Sequence, residues 1–337
     1  RFRSSMLKNA PVHVHYPLTE GQIVLRTDAD WERDVPASAV ADTSHFTFDV
    51  ASENPFVYFK VCLRRGPDFF WSVGANYLLI VDADQEKHVY PFFFASEHGS
   101  LSERSEIVSR YFEEPFSYRL WLPPGYDENS LKRYPVLYMH DGNNLFLPEE
   151  TSFGETWQVE SIIDLMDSLR TMREVVVVGV WPIDRKHSYT KPGYETYGQF
   201  MVEELKPHID QHYRTLPGPE NCAVMGSSLG GVVSFYLAWE YPHVYGVAAC
   251  MSSTFGYQDD LRERVAAEPK RNVRFYLDSG VPGDNYEVTK DMAELLMRQG
   301  YARGEELLYF SFPADLHNEK FWALRSHLPY QFFFENQ

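Results

Sequence analysis

Residues 226–231 read Gly226-Ser227-Ser228-Leu229-Gly230-Gly231, and what flanks them decides the fold. The apolar run Ala223-Val224-Met225 leads in as a strand would, and residues 232–239 continue as an apolar helix that Pro242 can stop. Strand, sharp turn and helix is the setting in which G-x-S-x-G works as a nucleophile elbow. Gly226 and Gly230 leave room where a Cβ would collide, so a strained turn can push the Ser228 hydroxyl into the open. The amide of Leu229, at the start of the new helix, then faces a developing oxyanion. Ser228 is therefore the expected nucleophile.

Outward from this turn, everything beyond about residue 107 alternates between strand and helix. Strand patterns fall at 117–122, 136–140, 174–181, 223–227, 246–251, 273–278 and 307–312. Helical patterns fall at 157–170, 197–213, 229–241, 286–299 and 318–333. Such alternation predicts an α/β fold with a mainly parallel sheet and helices on both faces. Residues 10–95 have another rhythm: strand-like stretches at 22–27, 45–50, 56–63 and 77–81 separated by turn clusters. They predict a small all-β sandwich of immunoglobulin type. The polar stretch 96–106 is the boundary, giving expected domains of 1–100 and 107–337.

A serine nucleophile needs a base, and the base needs an orienting acid. In hydrolases of this sheet type the chain order is serine, acid, histidine, each on a loop at the carboxyl end of a strand. Three histidines follow Ser228: His243, His317 and His327. His317 lies between the last strand pattern and the last helix pattern, where the base belongs. Asp284, in the turn-rich stretch after the strand ending near Asp278, is the expected acid, with Asp278 as its rival. The second oxyanion donor should come from the loop His140-Asp141-Gly142-Asn143-Asn144, where Gly142 permits close approach and the amide of Asn143 is the candidate. Arg185 and Tyr189 follow the strand pattern 174–181 and so belong at the same sheet end; Arg185 suits a carboxylate or phenolate. Trp157 and Trp322 each open a helix after a functional loop and are candidate aromatic walls for substrate.

The acid–base balance is 31 basic against 48 acidic side chains, a net charge of −17, which disfavours nucleic acid or an anionic membrane as partner. Cys62, Cys222 and Cys250 are too few for a disulfide framework, and no CxxC or HExxH appears, so neither a metal nor an organic cofactor is expected. The longest apolar runs, such as 175–181, are too short to span a bilayer. The chain begins at Arg1 and shows no signal peptide; the cytoplasm is the expected compartment, and secretion is the alternative if a leader was removed upstream.

Three stretches carry a resemblance: Tyr134-Pro135-Val136-Leu137-Tyr138-Met139-His140-Asp141-Gly142, then Gly226-Ser227-Ser228-Leu229-Gly230-Gly231, then His317-Asn318-Glu319. Together they resemble the "Putative esterase" family, which includes feruloyl esterases, enterochelin esterases and mycolyltransferases. The segment holding Trp71-Ser72-Val73-Gly74-Ala75-Asn76-Tyr77 is similar to the immunoglobulin-like modules that precede many such esterases. The resemblance implies an α/β-hydrolase fold, with Ser228 and His317 at matching motif positions and the amides of Leu229 and Asn143 forming the oxyanion hole.

The expected activity is serine carboxylic-ester hydrolysis through an acyl-enzyme. Hydroxycinnamoyl (feruloyl-type) esters and siderophore trilactones are the competing substrates, small or linked to polysaccharide. An acyltransferase of the same fold and a non-catalytic carbohydrate-binding protein are the alternatives.

Overall fold

In the strand Lys8–His15 every second residue turns inward: Ala10, Val12 and Val14 are buried, and Pro11, His13 and His15 lie half-buried between them. This period of two is what a sheet with one wet face demands. The computed structural model describes residues 8–81 and 86–335, and they divide into two compact units. In the first, one sheet runs Ala39–Val40, His45–Ser52, Lys8–His15, Lys87–Val89. The other runs Asp30–Pro36, Gln22–Thr27, Phe56–Arg65, Asp68–Trp71, with Tyr77–Ile80 also paired to Phe56–Arg65. Val12, Val14 and Phe48 from the first sheet meet Ile23, Leu25, Phe59 and Val61 from the second in one apolar layer, so the unit is the expected all-β sandwich. Residues 123–132 and 168–170 group with it. Glu128 shows why: its carboxylate accepts from the amides of Phe93, Phe94 and Ala95 at 2.7–2.8 Å.

The second unit is a nine-stranded sheet in the order Ser100–Leu101, Phe116–Leu122, Val176–Val180, Val136–Met139, Cys222–Ser227, Val247–Met251, Arg274–Val281, Leu307–Pro313, with Ser105–Ile107 on the flank of Phe116–Leu122. Phe116–Leu122 runs antiparallel to its neighbour Val176–Val180, and from there onward every pair is parallel. Val176–Val180 is buried at every position, as a strand covered by helices on both faces must be. The helix Leu229–Glu240 is buried nearly all round, so its sequence is apolar and not amphipathic. This is an α/β-hydrolase fold.

Proline chemistry accounts for the departures from the periodic reading. The pattern at 318–333 forms two helices, Glu319–Arg325 and His327–Phe333, because Pro329 has no amide proton for the carbonyl of Arg325. The pattern at 197–213 forms Gly193–Phe200, a π-helical turn Met201–Leu205 and Lys206–His212, where Pro207 likewise leaves the carbonyl of Glu203 without its usual donor. Two further helices, Arg185–Tyr189 and Leu261–Ala267, are too short to leave a periodic signal. The strand expected to stop at Asp278 runs on to Val281.

Candidate active site

Ser228 sits between the strand Cys222–Ser227 and the helix Leu229–Glu240 at φ 58° and ψ −121°, a backbone region an L-residue occupies only under strain. Gly226 makes the turn possible: a Cβ there would lie 2.6 Å from the backbone carbonyl of Gly230. The amide of Ser228 donates to the carbonyl of Met251 at 2.9 Å, which ties the turn to the next strand. Leu229 opens the helix, so its amide is one of those with no acceptor inside the helix.

Asn143 lies in the short turn Gly142–Asn144 that follows the strand Val136–Met139. A Cβ on Gly142 would strike the Trp181 ring at 2.4 Å, so this loop packs as closely as glycine alone allows. The Asn143 side chain donates to Asn144 Oδ1 at 2.9 Å and to Ser152 Oγ at 3.0 Å, leaving it turned to its own loop. Asn144 in turn donates to Glu319 Oε1 at 3.3 Å, joining this loop to the helix after His317.

His317 Nδ1 and Asp284 Oδ1 are 2.5 Å apart. Asp284 is buried, and its second oxygen accepts from Ser252 Oγ and from the amide of Gly280, both at 2.6 Å. Burial raises the Asp284 carboxyl, and the bonds from His317, Ser252 and Gly280 more than offset it, so the group is held below its ordinary value. The rival, Asp278, is fully engaged elsewhere. Its two oxygens take Nε and one terminal nitrogen of Arg325, each at 3.1 Å, and the Tyr276 hydroxyl donates to it at 2.8 Å. Burial pushes its carboxyl up to about 6, against the pull of Arg325.

Arg325, with a side chain only 3% exposed, is the residue that periodicity missed. Besides Asp278 it reaches Asp315 at 2.9 Å, Ser252 Oγ at 2.8 Å and Asp284 at 3.5 Å. Ser252 Oγ also accepts from Trp322 Nε1 at 2.9 Å. The one signal in the sequence was a lone arginine in an apolar helix, which reads as a solvated end until its partners are known.

The remaining sequence-selected residues separate into one that faces open space and three that do not. Arg185 pairs with both oxygens of Asp141, at 2.7 and 2.8 Å, and its side chain stays partly exposed. With Lys186, Leu229, Thr254 and Tyr257 it lines a cavity of about 390 Å³ beside the elbow. Tyr189 is fully buried, and its hydroxyl accepts from the Asp141 amide at 3.1 Å. Trp157 and Trp322 are buried in the main core with ring centroids 5.8 Å apart, and Trp322 stands edge-on to the His317 ring at 5.0 Å. Neither indole offers a broad wall to a ligand; the aromatic surface at the cavity is Tyr257, which the sequence reading passed over. His140 is buried too, with Nδ1 3.0 Å from the Tyr197 hydroxyl, and burial followed by Arg185 pushes its imidazole down to about 3.

Residues 109–321 match the family described as "Putative esterase", more than half of the chain, and the chain belongs to that family. A curated relative, the uncharacterized protein YbbA of Bacillus subtilis, is 25% identical over 179 residues, covering 48% of this chain and 63% of its own. The chain thus spans about three fifths of that relative's length. A ferulic acid esterase superposes with a TM-score of 0.60 at 16% identity, over 70% of this chain and 98% of that one. The siderophore hydrolase EstA from Aspergillus nidulans gives 0.53 at 14%, over 68% and 94%. At these identities the likeness is one of fold.

Two outcomes follow for the buried charges. Arg325→Met strands Asp278 without its cation and lowers stability by about 3–5 kcal/mol; the double variant with Asp278→Leu regains most of it. Urea denaturation of the three proteins reads both effects. The imidazole of His140 has an ordinary value of 6.5 when unfolded and about 3 when folded, so between these pH values the unfolded chain binds the extra proton and stability drops as pH falls. His140→Gln cannot titrate, and its stability measured at stepped pH should flatten that loss by up to ~1.4 kcal/mol per pH unit.

Proposed function

We propose that this protein is a carboxylic-ester hydrolase acting through an acyl-enzyme on Ser228. The observation that carries the reading is the pairing of a strained serine turn with a buried Asp284–His317 bond at the carboxyl ends of parallel strands in one sheet. Ser228 Oγ attacks the ester carbonyl while His317 Nε2 takes its proton. Negative charge gathers on the former carbonyl oxygen, and the amides of Leu229 and Asn143 receive it. The tetrahedral adduct collapses, the C–O bond to the alcohol breaks, and His317 returns the proton to the leaving oxygen. Water then attacks the acyl-serine by the same steps in reverse roles. Asp284 holds the Nδ1 proton in place and stabilises His317 while it is charged.

For the acyl group, the cavity favours a hydroxycinnamoyl-type acid over a bulky trilactone. Its volume suits one aryl acid, Tyr257 offers a ring face, and Arg185 and Lys186 offer positive charge to a phenolic end. The Thr254 hydroxyl, buried without a hydrogen-bond partner, is available to a ring substituent. In this reading Tyr189, Trp157 and Trp322 position the loops that carry Asp141 and His317 and do not touch substrate.

Hydrolysis of p-nitrophenyl acetate, p-nitrophenyl butyrate and methyl ferulate tests the proposal. Ser228→Ala should lower turnover at least about a thousandfold, and Asp284→Asn by on the order of 10⁴ in kcat, with circular dichroism unchanged. Undiminished hydrolysis by folded Ser228→Ala would sink the mechanism. Tyr257→Ala should cost several-fold in kcat/KM for methyl ferulate, about 0.5–1.5 kcal/mol, and little for the acetate. Equal losses on both esters would remove the aryl preference.

A further inference from the structure

Four histidines gather on the outer face of the four-stranded sheet in the first unit. The His13-Val14-His15 spacing puts both imidazoles on one side of the strand Lys8–His15, away from Val12 and Val14. Register then sets His15 opposite His45 and His13 opposite His88. The rings of His13 and His88 stack at 4.7 Å, and those of His15 and His45 at 4.6 Å.

The hydrogen bonds within this cluster use one nitrogen of each of two rings. His13 Nδ1 lies 3.1 Å from His45 Nε2 and 3.2 Å from Thr47 Oγ1, and His88 Nδ1 lies 2.9 Å from His15 Nε2. The other nitrogens, His13 Nε2 and His88 Nε2, are each 3.6 Å from the same atom, Glu86 Oε2. His13 Nε2 is buried and has no hydrogen-bond partner. If Nδ1 of His13 donates to His45, that Nε2 is a bare lone pair shut away from water, an arrangement that costs free energy unless something accepts it.

A divalent cation would accept it. In a tetrahedral zinc site with bonds of about 2.0–2.1 Å, ligand atoms stand roughly 3.3–3.4 Å apart. The three donor atoms here all lie within 4.8 Å of one another, so side-chain adjustment of a few tenths of an ångström to about 1 Å would close the set. Nδ1 donation from His13 to His45 and from His88 to His15 is the outer bonding that holds ligating imidazoles in one tautomer. Burial, then His45, His88 and His13, push His15 down to about 4, so this outer acceptor is neutral near pH 7.

We propose that His13 Nε2, His88 Nε2 and Glu86 form a binding site for a borderline divalent ion, zinc foremost, with a fourth position left to water. Two imidazoles and one carboxylate suit zinc better than magnesium or calcium. The ion would clip Lys87–Val89 to Lys8–His15, a strand pairing of only three residues on each side. Spacing along the chain hid the set, because the ligands come from different strands, and the expectation of no metal rested on contiguous motifs alone.

The test uses the full chain, stripped with EDTA and titrated with zinc chloride by calorimetry and with cobalt(II) by its visible spectrum. The parent should take up one zinc per chain and gain thermal stability from it. His88→Ala and Glu86→Gln, both at exposed side chains, should weaken binding by more than about tenfold, and the outer variant His15→Gln by about tenfold at unchanged stoichiometry. His212→Ala is the control, since His212 stacks on His208 at 4.3 Å in the other unit and is the competing histidine pair. No uptake by the parent, undiminished binding in His88→Ala, or loss of the ion in His212→Ala would each overturn the proposal.

Discussion

One guanidinium holds the reactive end of the hydrolase sheet together. Arg325 engages Asp278 with two nitrogens, reaches Asp315 with the third, and shares Ser252 Oγ with Asp284 and Trp322. These partners come from three loops and one helix, so a single buried cation fixes their spacing. Desolvating such a group is costly, and the cost is met only when every proton finds an acceptor. Asp284 benefits indirectly. Its outer oxygen is saturated by Ser252 and Gly280, which leaves the inner one a single orientation toward His317.

The same network shows why two carboxylates on one strand end take different parts. Asp278 faces the guanidinium and the Tyr276 hydroxyl, so both its oxygens are spent. Asp284, beyond the strand, keeps an oxygen for the imidazole. Sequence position alone ranks the two nearly equally, and the difference lies in who else is nearby.

What could be read in the chain followed the range of the forces involved. The elbow at Ser228 was legible because its causes, two glycines and an apolar run on either side, are local. The sheet was legible because burial on both faces writes itself as continuous Val-rich strands. Arg325 was not, since its partners come from other strands and loops, and the histidine face of the sandwich was not, since it depends on register between strands. Trp157, Tyr189 and Trp322 were selected correctly by neighbourhood, but burial turns them from ligand surface into support. Tyr257 went unseen because the loop carrying it has no periodic signature.

The strand Arg274–Val281 outlasts its neighbour on one side. Pairing with Val247–Met251 stops at Asp278, whereas pairing with Leu307–Pro313 continues to Val281. Beyond the sheet margin the two therefore project as a ribbon, with Asp284 following one arm and His317 the other. Acid and base share that ribbon and the nucleophile does not. Bending of the projection changes the reach between His317 and Ser228 while leaving the carboxylate–imidazole bond intact, so base and acid travel as one preassembled piece toward a stationary serine.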